Sequence, residues 1–143
     1  MSEEQSYEST EEALTVEELV RCAVDILADR KGAEFRILDV ADLVGYTDYF
    51  LLCSAQNERH IAALTSQLER QLRRRFLVRA FSREGERGSR WSVIDFGDFV
   101  AHIFHHEDRD LYDLEGLWHE APQLEHTPRP LAPSTSRGGE RLR

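Results

Sequence analysis

The sequence is poor in features that define several common protein classes. Cysteine occurs only as Cys22 and Cys53, without C-x-x-C spacing. That argues against a disulfide framework and predicts buried structural thiols in a reducing compartment. No apolar run approaches the ~20 residues that a membrane-spanning helix requires, so no membrane association is expected. The opening residues lack the basic start and apolar stretch of a secretory signal, and their Glu-rich composition is the opposite of an Arg-rich transit peptide. A cytoplasmic location is therefore expected.

What is present suits one ordinary domain. A chain of 143 residues with 41% hydrophobic content can bury one core and hardly two. The formal net charge is −9, distributed unevenly: residues 1–12 carry five Glu and no Lys or Arg, whereas residues 123–143 carry four Arg against two Glu. The acidic body repels phosphate backbones at long range and favours a basic partner, which discourages a general RNA-binding module.

Residues 1–13 are acidic and polar. The segment from about Gln123 holds Pro128, Pro130, Pro133 and a Ser-Thr-Ser-Arg-Gly-Gly run. Both compositions predict disordered tails flanking a folded unit over 14–122, and a fragment with those limits is expected to bind a partner as well as the whole chain. The first helix is announced by a Thr15/Glu18 capping box, a Leu14/Leu19 staple and Gly32 as a left-handed terminator. Phe35 to Val40 reads as a strand, and the apolar stretch from Tyr49 to Ser54 as a central one covered on both sides. Asn57 caps a second helix that keeps helical spacing through Ile61, Leu64, Leu68 and Leu72 to about Arg75. Val78 to Phe81 reads as a short strand, and Gly85 to Gly88 as a turn. Trp91 to Phe96 and Phe99 to Phe104 form a hairpin about Gly97-Asp98, on which Asp95 and His102 are expected to face each other. The fold class is α/β (α+β): a mixed five-stranded sheet with helices packed on it.

Three separated segments resemble the RsfS/Iojap family, the ribosomal silencing factors. Asp39-Val40 followed by Thr47-Asp48-Tyr49-Phe50 is similar to its L-D-V…T-D-Y-F signature. The run from Trp91 to Phe104, WSVIDFGDFVAHIF, is similar to its W-x-L-x-D-Y-G-D-x-V-x-H-x-F strand pair. Arg109 to Trp118, RDLYDLEGLW, resembles its R-x-Y-Y-x-L-E-x-L-W ending, with Ala121-Pro122 after it. The likeness covers about residues 15–122. Ala55 stands where the family usually has Gly, Phe96 where it has Tyr, and Gly116 where a basic residue is common. The resemblance implies a nucleotidyltransferase-like fold without the active site, and a binding role without catalysis or cofactor. It further implies that the chain docks on the large ribosomal subunit through ribosomal protein number fourteen, obstructs joining of the small subunit, and restrains translation when nutrients are scarce. Organellar relatives assist large-subunit assembly. The missing transit peptide favours the bacterial role.

The same residues admit rival readings. Asp95 and Asp98 could hold divalent metal as nucleotidyltransferase carboxylates do, making the chain an enzyme or nucleotide binder. However, Cys53-Ser54-Ala55 lacks the Gly-Ser of a phosphate loop, and the two aspartates are three apart across the expected turn, where Asp is favoured for local backbone bonding. His102, His105 and His106 with Glu107 and Asp108 are the only cluster resembling metal ligands, but strand alternation would send His105 and His106 to opposite faces. No metal is expected. Arg73-Arg74-Arg75 either contacts ribosomal RNA phosphate or answers the helix dipole. An exposed edge strand leaves room for a homodimer. The expected partner surface comprises Trp91, Asp95, Asp98, His102, Phe104, Tyr112, Leu114, Leu117 and Trp118, because half-buried aromatics beside apolar residues serve as interface anchors.

Overall fold

The computed structural model describes residues 14–85, 88–109 and 119–131. The first helix, α1 (Val16–Asp29), begins as its sequence dictates: Thr15 Oγ1 accepts from Glu18 N at 3.0 Å, and Thr15 N donates to Glu18 Oε1 at 2.9 Å. Its end departs from expectation. The left-handed residue is Lys31 (φ 72°), not Gly32. Lys31 N donates to Ala28 O and Gly32 N to Leu27 O, the paired bonds of a Schellman motif. Gly32 is required for closeness instead, because a Cβ there would lie 2.8 Å from Cys53 Sγ. That contact seats the end of α1 directly on the sheet.

The strands are β1 (Ala33–Asp39), β2 (Tyr49–Ala55), β3 (Ser82–Glu84), β4 (Trp91–Asp95), β5 (Phe99–His105) and β6 (Gln123–Leu124). They form one mixed sheet in the order β3-β4-β5-β2-β1-β6, so among the described residues the sheet has six strands where five were expected. Only β2 and β5 are parallel. A one-turn helix, α2 (Ala41–Val44), links β1 to β2, and α3 (Glu58–Phe76) follows β2 with Asn57 Oδ1 accepting from His60 N. The buried stripes of α1 (Val20, Ala23, Val24, Leu27) and α3 (Ile61, Leu64, Leu68, Leu72) cover one sheet face, formed by Ile37, Leu51, Cys53, Ile94, Phe99, Ala101 and Ile103. A second core lies on the other face: Leu38, Val40, Phe50, Leu52, Val100 and Phe104, with Val44, Trp91, Val93 and Ala121 against it. Central strand β2 is thus covered on both sides, as its unbroken apolar sequence requires.

Two expectations fail along the edges. The strand expected over Val78–Phe81 lies instead at Ser82–Glu84; Val78 and Ala80 only pack against the core on the way, although Phe81 N does donate to Asp95 O. The C-terminal segment does not end its order at 122. Gln123 and Leu124 pair with β1, and Pro122, unable to donate, accepts from Asp39 N at 2.8 Å. Asp25, buried in α1, then accepts from His126 Nε2 and from Arg129 N, each at 2.9 Å. Arg21 donates to Glu125 O, and Leu124 and Leu131 pack on the core. Residues 132–143 lie outside the described residues, as do 1–13 and Glu86-Arg87 of the expected Gly85–Gly88 turn.

A buried carboxylate stripped of its donors is costly, with hydrogen bonds to charged groups contributing about 1.5–3 kcal/mol each. A fragment spanning 14–122 should therefore unfold in urea with a stability lower by about 2 kcal/mol or more. An unchanged midpoint and slope would show that the 123–131 segment adds nothing to the fold.

Candidate partner-binding surface

The register of the β4–β5 hairpin determines which expected site residues meet. Trp91 pairs with Phe104, Val93 with His102 and Asp95 with Val100. Asp95 and His102 therefore do not face each other: the two-residue turn at Gly97-Asp98 makes Phe96–Phe99 the closing pair and sets Asp95 opposite Val100. Gly97 (φ 89°) begins the two-residue turn and its N–H donates to Asp95 Oδ1 at 2.8 Å. Asp95 is thus a turn-forming residue, and Asp98 sits exposed beside it.

Strand alternation puts Trp91, His102 and Phe104 on the second sheet face. Their rings are neighbours: Trp91 and Phe104 are 5.7 Å apart between centroids, Trp91 and His102 5.9 Å, and Phe50 meets His102 edge-on at 5.1 Å. Trp91 is half-buried, but Phe104 and His102 are buried, only 1% and 8% exposed. Both belong to the core of this face more than to its surface. Tyr112, Leu114, Leu117 and Trp118 lie outside the described residues. His102 Nδ1 accepts from Trp91 Nε1 at 3.3 Å, leaving Nε2 without a partner among the described residues. Burial drives the His102 pKa down to about 4, so the ring is neutral at physiological pH. Thr47 Oγ1 is the other buried side-chain polar atom without a partner among the described residues. Both orphans lie within the signature segments.

The structure adds an acidic end that the sequence reading did not assemble. Because β1 and β4 end where β2 and β5 begin, Asp39, Asp48, Asp95 and Asp98 collect at one end of the sheet, with Asp42 on α2 beside them. A row of backbone bonds ties this end together: Val40 N to Asp48 O at 2.9 Å, Asp48 N to Asp98 O at 3.1 Å and Phe81 N to Asp95 O at 2.7 Å. Leu43, Tyr46 and Phe81 are exposed on the segments that carry or adjoin it. Each aspartate was visible in the sequence, four of them within the quoted signatures; their convergence required the strand order.

At the opposite end, β5 stops at His105, so alternation does not separate the two histidines. His105 and His106 stack at 4.9 Å, and His105 Nδ1 caps the following turn by accepting from Glu107 N. Arg90 pairs with Asp108 and Glu58, and its guanidinium holds the Asp108 carboxyl below its usual range. Arg109 donates to Ser54 Oγ at 2.7 Å, which ties the start of the third signature segment to the end of β2. Among the described residues no group of three His, Cys, Asp or Glu side chains could hold a metal ion, and no helix is long and apolar enough to cross a membrane. Cys22 and Cys53 are both free, and burial pushes the Cys53 thiol up to about 12. A cleft of about 380 Å³ between α3 and the β3–β4 edge is lined by Thr65, Ser66, Ser89 and Ser92 with Glu58 and Arg83. Asp95 and Asp98 are not part of it.

The site thus lies on a mixed α+β sheet that carries its two long helices on one face, with Trp91, His102 and Phe104 on the other and Asp39, Asp48, Asp95 and Asp98 at one end. Residues 13–141 match the family model for the ribosomal silencing factor during starvation, RsfS, and the chain belongs to that family. It is 32% identical over 109 residues to the ribosomal silencing factor RsfS of Halalkalibacterium halodurans, covering 76% of this chain and 92% of the relative. It is 30% identical over 98 residues to the mouse mitochondrial assembly of ribosomal large subunit protein 1, covering 66% of this chain and 42% of that protein. Among solved structures, a Chromobacterium violaceum protein superposes with a TM-score of 0.69 at 25% identity, covering 88% of this chain and 96% of the other.

The buried His102 makes a pH prediction. Its folded pKa is depressed below the ordinary value of ~6.5, so the unfolded chain takes up the proton first and stability is lost as pH falls from about 6.5 towards 4. This one group should remove about 2 kcal/mol between pH 7 and pH 5. Urea melts of wild type and His102→Gln across that window should diverge accordingly; parallel decline would mean that His102 is not the neutral buried group described.

Proposed function

We propose that this chain silences translation by docking on the large ribosomal subunit, through ribosomal protein number fourteen, and obstructing attachment of the small subunit. The observation that carries the proposal is convergence: signature segments widely separated in sequence supply Asp39, Asp48, Asp95 and Asp98 to one end of the sheet and Trp91 to the adjoining face. Five carboxylates around exposed Leu43 and Tyr46 form a rim suited to a basic protein, and half-buried Trp91, four residues along β4 from Asp95 on the second face, is the anchor. Tyr112, Leu114, Leu117 and Trp118 complete the surface on the strength of the family likeness. His102 and Phe104 support it from beneath. The action is binding without chemistry and takes place in the cytoplasm, and the unpartnered Nε2–H of His102 remains available to an acceptor if this face opens.

A rim charge acts mainly on the association rate, whereas truncating a central aromatic commonly costs about 2 kcal/mol or more. The chain should sediment with free large subunits and not with small ones, and should suppress subunit joining in a sucrose gradient. Trp91→Ala should weaken docking by about 30-fold, which corresponds to about 2 kcal/mol. Asp48→Asn with Asp98→Asn should slow association several-fold, and raised salt should slow the wild type in the same way. Equal recovery with both subunits, or a folded Trp91→Ala that still blocks joining at wild-type concentrations, would place the function or the interface elsewhere. Binding of ATP and magnesium to the wild type would favour the nucleotidyltransferase reading instead.

A further inference from the structure

The outward face of α3 carries an unexpected charge pattern. Its exposed residues are Arg59, Ala62, Ala63, Ser66, Arg70, Arg73 and Arg74. At 100° per residue these seven fall on one stripe, opposite the buried Ile61, Leu64, Leu68 and Leu72. The stripe contains four arginines and no acid, in a chain of net charge −9. The two carboxylates of the helix are engaged at its margins, Glu58 with Arg90 at 3.2 Å and Glu69 with Arg83 at 2.7 Å. None of the four arginines makes an ion pair among the described residues; Arg70 donates only to Gln67. Arg75, which the sequence grouped with Arg73 and Arg74, is turned aside and donates to Gln71 at 2.7 Å.

The helix dipole accounts for part of this pattern and fails for the rest. It favours cations in the last turn, where Arg73 and Arg74 lie, but disfavours one in the first turn, where Arg59 lies. Arg70 stands three and four residues from Arg73 and Arg74, spacings at which like charges repel. An arrangement unfavourable in the free helix is explained by an anion that neutralises it. Between the arginines lie only Ala62, Ala63 and Ser66, whose small side chains keep the ridge low. From Arg59 to Arg74 the stripe runs about 22 Å along the axis, long enough to meet several successive phosphates of a nucleic-acid strand. The chain continues the same charge. Arg129, Pro130 and Leu131 share a cavity with Arg75 and Phe76 at the end of α3, and the sequence beyond adds Arg137, Arg141 and Arg143 against Glu140.

We infer that the outward face of α3 is a docking surface for RNA backbone, reading charge without sequence. This deepens the ribosomal role proposed above and rests on it for the identity of the RNA, which is ribosomal. The stripe lies on the opposite side of the sheet from Trp91, so the two surfaces can be tested separately. Net charge does not exclude such a surface, because with a Debye length of about 8 Å near physiological ionic strength a contacting phosphate responds to the arginines beside it more than to distant acids.

The test uses the full-length chain, a variant with Arg59, Arg70, Arg73 and Arg74 all changed to Gln, and a 20-base-pair RNA duplex as probe. Wild type should bind the duplex weakly at low salt, with affinity falling as salt rises on a log–log slope of about −3 to −4, as four phosphate contacts predict. The four-Gln variant should bind at least about tenfold more weakly, with a slope near zero. Circular dichroism melting should confirm that it is folded, since all four positions are exposed. Trp91→Ala should retain duplex binding while losing large-subunit docking, which separates failure of this inference from failure of the docking proposal. Equal affinity and slope for wild type and variant would overturn the assignment, as would wild type that fails to bind the duplex. Wild type that prefers vesicles of anionic phospholipid to RNA would also overturn it.

Discussion

The parallel pairing of β2 with β5 is the constraint on which the rest of the structure depends. Seven successive residues align, from Tyr49 with Phe99 to Ala55 with His105. Nearly all are buried, so neither strand can slip by one residue without turning Leu51, Cys53, Ala101 and Ile103 away from the helix-covered core. The same register brings Asp48 beside Asp98 at one end. At the other it puts Ser54 within reach of Arg109 and keeps His105 where it caps the following turn. The acidic end is therefore a by-product of core packing: the strands must start together for their apolar residues to match, and their preceding aspartates arrive together.

A parallel pair cannot be closed by a tight turn, and the chain between β2 and β5 supplies what the crossover requires. Helix α3 returns across the first face, and β3 and β4 then extend the sheet beyond β5. Thr65 and Ser92 fasten this connection from within, Thr65 Oγ1 donating to Ile61 O at 2.8 Å while its oxygen shares a hydrogen bond with Ser92 Oγ at 3.0 Å. Since α1 and α3 occupy the same face, the second face has no long helix among the described residues. It is left to aromatic side chains, and that is where Trp91, His102 and Phe104 stack. The division between a helical side and an aromatic side follows from which face the crossover uses.

Much of this was legible in the sequence, for local reasons. The capping box at Thr15 and Glu18, the Asn57 cap, the helical spacing of α3 and the Gly97-Asp98 hairpin are each decided within a few residues. The central position of β2 followed from its unbroken apolar run. Features decided by distant partners were missed. Nothing near Gln123 announces a strand, because β6 contributes only two residues to a neighbour's backbone, and a Pro-rich composition describes an isolated chain instead of one held by Asp25. Lys31 took the left-handed position expected of Gly32, because Gly32 was committed to its contact with Cys53. The expected facing of Asp95 and His102 was incompatible with the two-residue turn at Gly97-Asp98, which sets Asp95 opposite Val100. The aspartates were all visible, but their shared location was topological information.

Charge shows the same limit of one-dimensional reading most clearly. A formal −9 argues against nucleic acid only if the charge is spread evenly, and in this fold it is not. Acids concentrate at the sheet end, where β1, α2, the residue before β2, and the β4–β5 turn each contribute at least one. The exposed stripe of α3 holds only arginine, alanine and serine. Helical periodicity accounts for the stripe: positions 59, 62, 63, 66, 70, 73 and 74 share a face because 3.6 residues complete a turn, while Glu58 and Glu69 fall to its sides within reach of Arg90 and Arg83. One sequence thus presents two partner chemistries on separate surfaces. A net charge averages over both, whereas a partner in contact meets only one of them.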